Sequence, residues 1–315
     1  MTKPNCIVTA HCHPWLLDQL NKTYTVAYEP LITYEQLLAR APLLVGLVVT
    51  TRLQIDKRLI DAAPGLRWIG RLGSGLELID VAYAETKGIR VASSPEGNRN
   101  AVAEQALGML LGVMNKLFTA TAQVKTGQWI RSENRGIELR GKTVGIVGYG
   151  NTGSQFAKLL QPFDVTVLAY DLNRYGFANG YIKEASVAQI CRYAQVISFH
   201  VPLNAHSKHM ANQQLFAEMQ QQPIIVNTSR GGVVHTAHLL AALDQGLVSG
   251  ACLDVLENEK LHTYTPEEQQ VLQALLNHPA VVVTPHIAGY SHEAFLGMAQ
   301  VLVQKLFETP ALTGS

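Results

Sequence analysis

The sequence predicts an α/β protein that contains two parallel sheets. Short runs of β-branched and other apolar residues alternate with segments of helical periodicity from end to end, a pattern typical of β-α-β units. The chain has 315 residues, of which 47% are hydrophobic, and single hydrophobic cores seldom grow beyond about 250 residues. We therefore expect two domains, each with its own sheet.

The N-terminal sheet is predicted from five strand patterns, at residues 7–10, 25–28, 44–49, 67–70 and 89–92. Parallel strands that helices cover on both faces are expected to be short, nearly continuous apolar runs. Five such strands favour a flavodoxin-like domain.

The second sheet is predicted from six strand patterns, at residues 143–147, 165–170, 195–199, 224–227, 248–253 and 280–284. Helical segments or loops separate them, and six strands are the number in a doubly wound Rossmann domain. The second domain is therefore predicted to be Rossmann-like.

Between the two series, apolar residues recur at helical spacing from Asn98 to about Thr126, which predicts one long helix. The breakers Pro95 and Gly97 lie just ahead of it and indicate a domain boundary near Asn98.

The last predicted helix, at residues 292–307, is followed by no strand pattern. We expect it to cross back onto the first domain and to leave a cleft between the domains. The predicted division assigns residues 1–98 and 287–315 to one domain, and residues 99–286 to a second domain inserted into it.

Composition and charge argue against several classes of protein. The 25 Lys and Arg nearly balance the 24 Asp and Glu, the net charge is +1, and no basic block indicates a nucleic-acid partner. The longest apolar stretch, residues 106–118, falls short of the ~20 residues of a membrane span. The N-terminus does not resemble a signal peptide, and the four cysteines form no CxxC pair, so we expect a cytoplasmic protein with reduced thiols.

A glycine-rich loop follows the first strand of the second series. Gly148, Gly150 and Gly153 form a G-x-G-x-x-G pattern directly after residues 143–147 and before a helical segment. Gly148 permits a tight turn, Gly150 lets the backbone approach a diphosphate, and Gly153 permits close packing of the helix on the strand. The amides of Asn151 and Thr152 would then face the phosphates.

Asp171 closes the next strand, about 20 residues further on, where a carboxylate accepts hydrogen bonds from ribose hydroxyls. The loop and Asp171 together predict a dinucleotide site, against the alternative of a glycine turn without a ligand. A carboxylate also repels a 2′-phosphate, so NAD is expected rather than NADP, although Arg174 leaves NADP open.

Chemically active side chains follow the other strands of this series. His200, Arg230, Asp254 and His286 come just after successive predicted strands, and ligands of doubly wound sheets bind beyond the carboxyl ends of the strands. Arg230 suits a substrate carboxylate, because its planar guanidinium can bind both oxygens. His286 suits proton exchange near neutral pH, and Glu259 could orient its imidazole. Taken singly, each of these side chains is more often a solvated or locally hydrogen-bonded loop residue, but their joint placement favours a functional site.

These segments resemble the D-isomer-specific 2-hydroxyacid dehydrogenases from about Leu44 to Gly289. The resemblance rests on motifs in the family's order: residues 71–80, 95–98 with 102–104, 200–203, 227–232, 253–255 and 284–289. Within the family, residues 96–100 look nearest to the D-3-phosphoglycerate dehydrogenase-like members. Thr50 stands where those members commonly have Arg, which leaves Arg52 as the nearest basic group for a phosphate.

The resemblance implies the site and its chemistry. Arg230, Glu259 and His286 would be the catalytic set for reversible hydride transfer between NAD(H) and a small 2-hydroxy or 2-oxo acid, with Glu257 as the competing acidic partner. 3-Phosphoglycerate is one candidate for this acid. The backbone amides of Ser74 and Gly75 would bind the substrate carboxylate. The implied cofactor contacts are Gly148, Gly150, Asn151, Thr152, Gly153, Asp171, His200, Pro202, Thr228, Ser229, Asp254 and Gly289.

The resemblance also favours a homodimer that pairs through the long helix. Two alternatives stay open: a glyoxylate or hydroxypyruvate reductase with the same residues, and an NAD-sensing binding module of the same fold.

The remaining histidines and cysteines predict no metal site. Cys6, His11, Cys12 and His13 crowd one short segment, and adjacent ligands rarely surround a tetrahedral ion. His235 and His238, like His206 and His209, are interpreted as solvated residues with no acidic partner nearby.

Overall fold

A computed structural model describes residues 3–308 of the chain. It divides into two compact units. The first runs from the N-terminus through Arg99 and resumes at Gly289, and the second is Asn100–Ala288. The chain passes from one unit to the other after Arg99 and after Ala288, which are one and two residues from the predicted boundaries.

The first unit contains a five-stranded parallel sheet. Its strands are β1 (Asn5–Val8), β2 (Thr25–Tyr28), β3 (Leu44–Val49), β4 (Trp68–Arg71) and β5 (Arg90–Ser93). The strand order β2-β1-β3-β4-β5 is that of the flavodoxin-like fold. The predicted α/β class and the five strands are therefore confirmed.

The helices of this unit begin at residues that satisfy free backbone amides. They are α1 (Pro14–Thr23), α2 (Tyr34–Arg40), α3 (Lys57–Asp61) and α4 (Val81–Thr86). Thr33 and Gln36 form a capping box at α2, and Asp56 and Asp80 accept amide hydrogen bonds at α3 and α4.

The predicted single long helix is wrong, because two helices occupy this stretch: α5 (Pro95–Met114) and α6 (Leu117–Lys125). Lys116 has a φ of 52°, in the left-handed region that ends a helix. A Cβ at Gly112 would lie 2.5 Å from the ring of Phe118, so α6 folds back over a residue without a side chain. The helix also begins earlier than predicted, at Pro95, because proline needs no amide partner in a first turn.

The second unit contains seven parallel strands, not the six predicted. They are β6 (Thr143–Val147), β7 (Thr166–Tyr170), β8 (Ile182–Glu184), β9 (Val196–Phe199), β10 (Ile224–Asn227), β11 (Gly250–Leu253) and β12 (Val281–Val283). The order is β12-β11-β10-β9-β6-β7-β8. The additional strand, β8, has three residues at the sheet edge, of which two are exposed, so it lacks the apolar run by which the others were predicted.

Helices cover both faces of this sheet. They are α7 (Asn151–Leu160), α8 (Val187–Tyr193), α9 (Gln213–Ala217), α10 (Thr236–Asp244) and α11 (Pro266–Asn277). Val144 and Ile146 face a core shared with α5 and α7. Val147, the last residue of the same strand, faces a core shared with α8 to α11. This alternation is the doubly wound arrangement, with its topological switch between β6 and β9.

The chain after Gly289 belongs to the first unit. Helix α12 (His292–Val303) and a π-helical turn (Gln304–Glu308) follow, and α12 packs on α1. Leu302 and Leu306 lie in the same core as Val8 and Trp68. The predicted return of the last helix is thus observed, although residues 309–315 of the predicted domain lie outside the described residues. Over residues 3–308, no helix combines the length and apolar character needed to span a membrane.

Candidate active site at the carboxyl edge of the second sheet

The strands of the second sheet end in register. Hydrogen-bonded pairing aligns Val283, Leu253, Asn227, Phe199, Val147 and Tyr170 across the sheet. The residues that follow these aligned ends are Thr284, Asp254, Thr228, His200, Gly148 and Asp171. The structure therefore brings most of the predicted site residues of the second unit to one edge.

The glycine loop adopts the geometry that its spacing predicts. Gly148 has a φ of 98°, and a Cβ there would lie 2.4 Å from the carbonyl oxygen of His200. A Cβ at Gly153 would lie 2.0 Å from the carbonyl oxygen of Gly148, whereas a Cβ at Gly150 would meet open space. Gly150 is the N-cap residue of α7. Within residues 3–308, no side chain accepts a capping hydrogen bond at this helix start. The amides of Asn151 and Thr152 thus begin α7 beside a space that fits a diphosphate.

Asp171 lies beside the glycine loop at the end of β7. Its carboxylate accepts hydrogen bonds from the amides of Tyr149, at 2.8 Å, and Asn173, at 2.9 Å. Arg174 donates to the carbonyl oxygen of Tyr149 at 2.7 Å. Asp171 and Arg174 border a cavity of about 300 Å³, which is also lined by Phe177 and Gln189. The cavity offers a carboxylate and aromatic surface next to the diphosphate position, as an adenosine group requires.

His200 is buried at the switch point of the sheet. One ring nitrogen lies 2.8 Å from the hydroxyl of Ser198 and the other 3.2 Å from the hydroxyl of Thr152. Burial lowers the pKa of His200 to about 4, so the ring is neutral at pH 7. His200 therefore connects β9 to the first turn of α7, and its ring points to protein partners.

The turn after β10 is held by Asn227, a residue that the sequence analysis did not single out. Its side-chain oxygen accepts from the amide and hydroxyl of Ser229, and its amide group donates to the carbonyl oxygen of Arg230. The hydroxyl of Thr228 is buried and has no hydrogen-bond partner among the described residues. An unpartnered buried hydroxyl at this edge suits a ligand that supplies the missing bond. The carbonyl oxygen of Pro202, which lies after β9, accepts a hydrogen bond from the hydroxyl of Ser207.

The Arg230 turn packs directly on the loop that follows β11. A Cβ at Gly231 would lie 1.8 Å from the carbonyl oxygen of Leu256, so only glycine permits this approach. Arg230 itself donates to the carbonyl oxygen of Ser229 at 2.7 Å. The contact places the residues after Arg230 against the chain that leads to Glu259.

Asp254 organises the segment that carries His286. Its side chain is fully buried, and its carboxylate accepts from the amides of Ile287 and Ala288 at 2.9 and 2.8 Å and from the hydroxyl of Thr284. The backbone carbonyl of Asp254 accepts from the amide of His286 at 2.7 Å. The family resemblance implies that Asp254 contacts the cofactor, and the structure engages its carboxylate with this loop.

The structure pairs His286 with Glu259. The Nδ1 atom of His286 lies 2.9 Å from the carboxylate of Glu259, and both side chains are nearly half exposed. The competing acidic residue, Glu257, instead lies 2.7 Å from the Nε2 atom of His209 and accepts from the amide of Thr236. Geometry thus selects Glu259 as the partner of His286, with the Nε2 atom on the opposite side of the ring.

Of the four histidines interpreted as solvated residues, His206 is exposed, but the other three contact one another. His235 stacks on His238 with ring centroids 3.7 Å apart, and on its other side lies His209, 4.8 Å away. Glu257 bonds to His209, so the expectation of no acidic partner was wrong. The reason is topological, because Glu257 reaches these histidines from the loop after a different strand.

Three predicted site residues lie in the first unit. Ser74 is exposed and Gly75 half-buried in the loop after β4, where the amide of Gly73 donates to the hydroxyl of Ser94. Gly289 lies against Asn98, whose side-chain nitrogen would be 2.7 Å from a Cβ at position 289.

A doubly wound sheet with these loops at its carboxyl edge defines a dinucleotide-binding protein. Residues 107–288 match the family model described as D-isomer specific 2-hydroxyacid dehydrogenase, NAD binding domain. The chain is 34% identical over 262 residues to the hydroxypyruvate reductase of Thermotoga maritima, with 83% of each chain covered. It is 34% identical over 274 residues to the D-3-phosphoglycerate dehydrogenase of Archaeoglobus fulgidus, over 86% of this chain and 50% of that relative. A crystal structure of the D-lactate dehydrogenase of Aquifex aeolicus, complexed with NAD and lactic acid, aligns with a TM-score of 0.83 and 25% identity, over 96% of this chain and 95% of that one.

The chain therefore belongs to the D-isomer specific 2-hydroxyacid dehydrogenase family, and its second unit contains the NAD binding domain of that family. The predicted family, the predicted fold class and NAD as cofactor are confirmed. The chain spans about half the length of the Archaeoglobus relative that it matches.

Proposed function

We propose that this protein is an NAD-dependent dehydrogenase that interconverts a small 2-hydroxy acid and its 2-oxo acid. The observation that carries the proposal is the contact of His286 with Glu259 at the sheet edge that also holds the glycine loop and Arg230. A proton-exchanging imidazole beside a carboxylate-binding guanidinium is the combination that this reaction requires.

His286 is the proposed acid/base. Glu259 holds the Nδ1 side of the ring, so the Nε2 atom is the one that exchanges a proton with the substrate oxygen. In the oxidising direction this atom accepts the hydroxyl proton, and in the reducing direction it returns the proton. NAD, when bound, supplies the hydride-accepting carbon.

Arg230 is the proposed anchor for the substrate carboxylate, which its guanidinium can bind through two hydrogen bonds. Asn227 and Gly231 hold the backbone on either side of it. The amides of Ser74 and Gly75 are proposed as further carboxylate donors on the family resemblance alone.

The residues proposed to hold NAD fit a dinucleotide. The amides at the start of α7 would bind the diphosphate, and Asp171 would accept from the ribose hydroxyls. The unpartnered hydroxyl of Thr228 supports a ligand at the nicotinamide end. Asp171 also disfavours a 2′-phosphate by charge repulsion, which supports NAD over NADP.

The proposal also concerns whether the substrate carries a phosphate group. Relatives carry the names D-3-phosphoglycerate dehydrogenase, hydroxypyruvate reductase and glyoxylate reductase. Arg52, the nearest basic side chain to the place where phosphate-handling members have Arg, donates to the carbonyl oxygen of Thr9 at 2.9 Å. We therefore favour an unphosphorylated 2-oxo acid such as hydroxypyruvate or glyoxylate.

The test follows NADH absorbance with glyoxylate, hydroxypyruvate, pyruvate and phosphohydroxypyruvate. His286→Gln is expected to lower kcat by about 10²- to 10⁴-fold, because it removes the proton donor, while NADH affinity stays within about threefold. His262→Gln, an exposed histidine of the same unit, is the matched control and is expected to keep kcat within about twofold. Oxidation of NADH by none of the four acids, with NADH binding intact, would favour the NAD-sensing alternative.

We also propose that the protein acts as a homodimer. Large apolar side chains are exposed on α6 and in the segment that follows it, and together these residues are called the α6 surface: Leu117, Phe118, Val124, Trp129 and Ile137. Such a group of exposed apolar residues is typical of a subunit interface. The cytoplasmic location remains a prediction from the sequence.

A further inference from the structure

Three histidines and one glutamate form a cluster beside the Arg230 turn. The histidine cluster consists of His209, His235, His238 and Glu257. One carboxylate oxygen of Glu257 lies 2.7 Å from the Nε2 atom of His209, and the other accepts from the amide of Thr236 at 2.5 Å. The rings of His209, His235 and His238 then follow one another at centroid distances of 4.8 and 3.7 Å.

The cluster joins three segments of the chain, two of which carry proposed catalytic residues. The amide of His209 donates to the carbonyl oxygen of Gly232 at 2.7 Å, and the amide of His235 donates to the carbonyl oxygen of Ala211 at 2.9 Å. These bonds attach residues 209–211 to the chain that follows Arg230. Glu257 attaches both to the loop that ends in Glu259, next to the close contact of Gly231 with Leu256.

The net charge of the cluster is zero when one of its imidazoles is protonated, because Glu257 supplies one negative charge. The Nδ1 atoms of His235 and His238 are buried and have no hydrogen-bond partner among the described residues. Burial lowers the pKa of His235, assisted by the neighbouring His238 and His209, while Glu257 opposes the shift. Burial raises the pKa of Glu257, but the hydrogen bonds from Thr236 and the charges of His209 and His235 outweigh it, so the net shift is downward.

Protonation of a second imidazole changes this balance. The groups that face His235 are His209, His238 and Glu257. One carboxylate neutralises one imidazolium, and a second imidazolium in a stack 3.7 Å from its neighbour meets like-charge repulsion. Because the pKa of His235 lies below its ordinary value, its protonation and the resulting repulsion require acidic solution.

We propose that the histidine cluster is a positioning device that holds the Arg230 turn against the Glu259 loop at neutral pH and releases it when a second imidazole gains a proton. The proposal deepens the proposed function, because it assigns acid sensitivity to substrate binding through Arg230. Within residues 3–308, no hydrogen bond or ion pair joins the cluster residues to the glycine loop or to His286, so they act through the two loops.

The proposal predicts a specific division between KM and kcat. In the reducing direction His286 must carry a proton, so acid alone favours the catalytic form of that residue. A KM for the 2-oxo acid that rises in acid therefore has to come from another group. Loss of the Arg230 position raises KM, because this residue binds the carboxylate in the ground state.

The kinetic experiment compares KM at about pH 7.5 and about pH 5.5, on either side of the ordinary histidine pKa. We expect KM for the 2-oxo acid to rise about fivefold or more in the unaltered protein, and by less than about twofold in the double variant His235→Asn/His238→Gln, which cannot acquire the extra charge. His206→Gln, an exposed histidine beside the same segment, is the control and should keep the full rise. An equal rise in the double variant would overturn the proposal.

A second measurement does not depend on activity. The side-chain Nε resonance of Arg230, in nitrogen-15 arginine-labelled protein and assigned with Arg230→Lys, is followed over the same pH range. We expect this resonance to shift in acid in the unaltered protein and to stay in place in the double variant. A resonance that is unmoved in the unaltered protein, or that moves equally in both, contradicts the positioning role. Absence of 2-oxo acid reduction together with the expected resonance shift would refute the proposed function alone.

Discussion

The conformation of a single residue, His286, shows how strongly its position is determined. Its φ of 56° lies in the left-handed region, which costs a non-glycine residue roughly 1–2 kcal/mol. The ring is nearly half exposed, so burial does not hold it. The backbone is held instead by Asp254, which accepts amide hydrogen bonds from His286, Ile287 and Ala288. Asp254 is therefore a positioning residue for the proposed acid/base.

The substitution Asp254→Asn tests this role. An amide presents one acceptor where the carboxylate presents two, so one loop amide loses its partner or meets an N–H group. We expect kcat to fall by about 10- to 100-fold, and the free energy of unfolding to fall by about 1–3 kcal/mol, the cost of an unsatisfied buried group. Steady-state kinetics and thermal unfolding measure the two effects. Asp244→Asn, at an exposed position near the end of α10, is the control, and a kcat within twofold of the unaltered value in Asp254→Asn would contradict the role.

At the scale of elements, strand β9 and helix α7 are connected through the buried ring of His200. The ring contacts the hydroxyls of Ser198 and Thr152, and its folded-state pKa is about 4. The unfolded chain has an ordinary histidine pKa of about 6.5. Between these values the unfolded state binds more protons, so His200 lowers stability as the pH falls from about 6.5 to about 4 and has no such effect above this range.

The variant His200→Gln should remove this acid sensitivity. At pH 5 the ring is expected to cost about 2 kcal/mol of stability relative to pH 7.5. The fall in Tm between these pH values should therefore be smaller by roughly 5 °C in the variant than in the unaltered protein. Differential scanning calorimetry measures the two falls, with His278→Gln as a control that should keep the full difference. An unchanged fall in His200→Gln would show that the ring does not titrate between the folded and unfolded states.

The elements that the sequence predicted best are those whose signal is local. Eleven strands were predicted because each contains a short run of β-branched or other apolar residues, and the glycine loop was predicted because backbone geometry alone demands Gly148 and Gly153. Strand β8 was missed because its pairing with β7 comes from the sheet edge and not from its own three residues. The break before α6 was missed because the apolar period continues through Lys116 while the backbone reverses.

The residues of the candidate site likewise divide into those with a local sequence signal and those that come together only on folding. Arg230 and His286 were predicted because each follows a predicted strand, and Glu259 was predicted because the family resemblance implies it as the partner of His286. The histidine cluster could not be predicted, because Glu257 meets His209 and His235 only after three loops are folded together. A missed signal was present for Asn227, since an Asn followed by Thr and Ser after a strand is typical of a side chain that bonds its own turn.

At the scale of the whole molecule, the proposed homodimer is argued from the exposed apolar residues of the α6 surface. Trp129 is 81% exposed, Leu117 56% and Val124 51%. Each exposed apolar group costs free energy in water, so a second copy that covers them is favoured by burial. The break at Lys116 places α6 outside the core of the second unit, where none of its residues is buried.

The double variant Leu117→Glu/Val124→Glu is therefore expected to convert the proposed dimer into a monomer. Two carboxylates on facing copies would be desolvated and would repel each other, which should weaken association by about 100-fold or more. Sedimentation velocity over a concentration series measures the shift in mass. Leu31→Glu is the matched control, because Leu31 is 79% exposed in the first unit, and this variant should keep the dimer. The proposed dimerisation through the α6 surface would be contradicted by an unaltered protein that sediments as a monomer throughout the series. It would also be contradicted by a double variant that dimerises as strongly as the control.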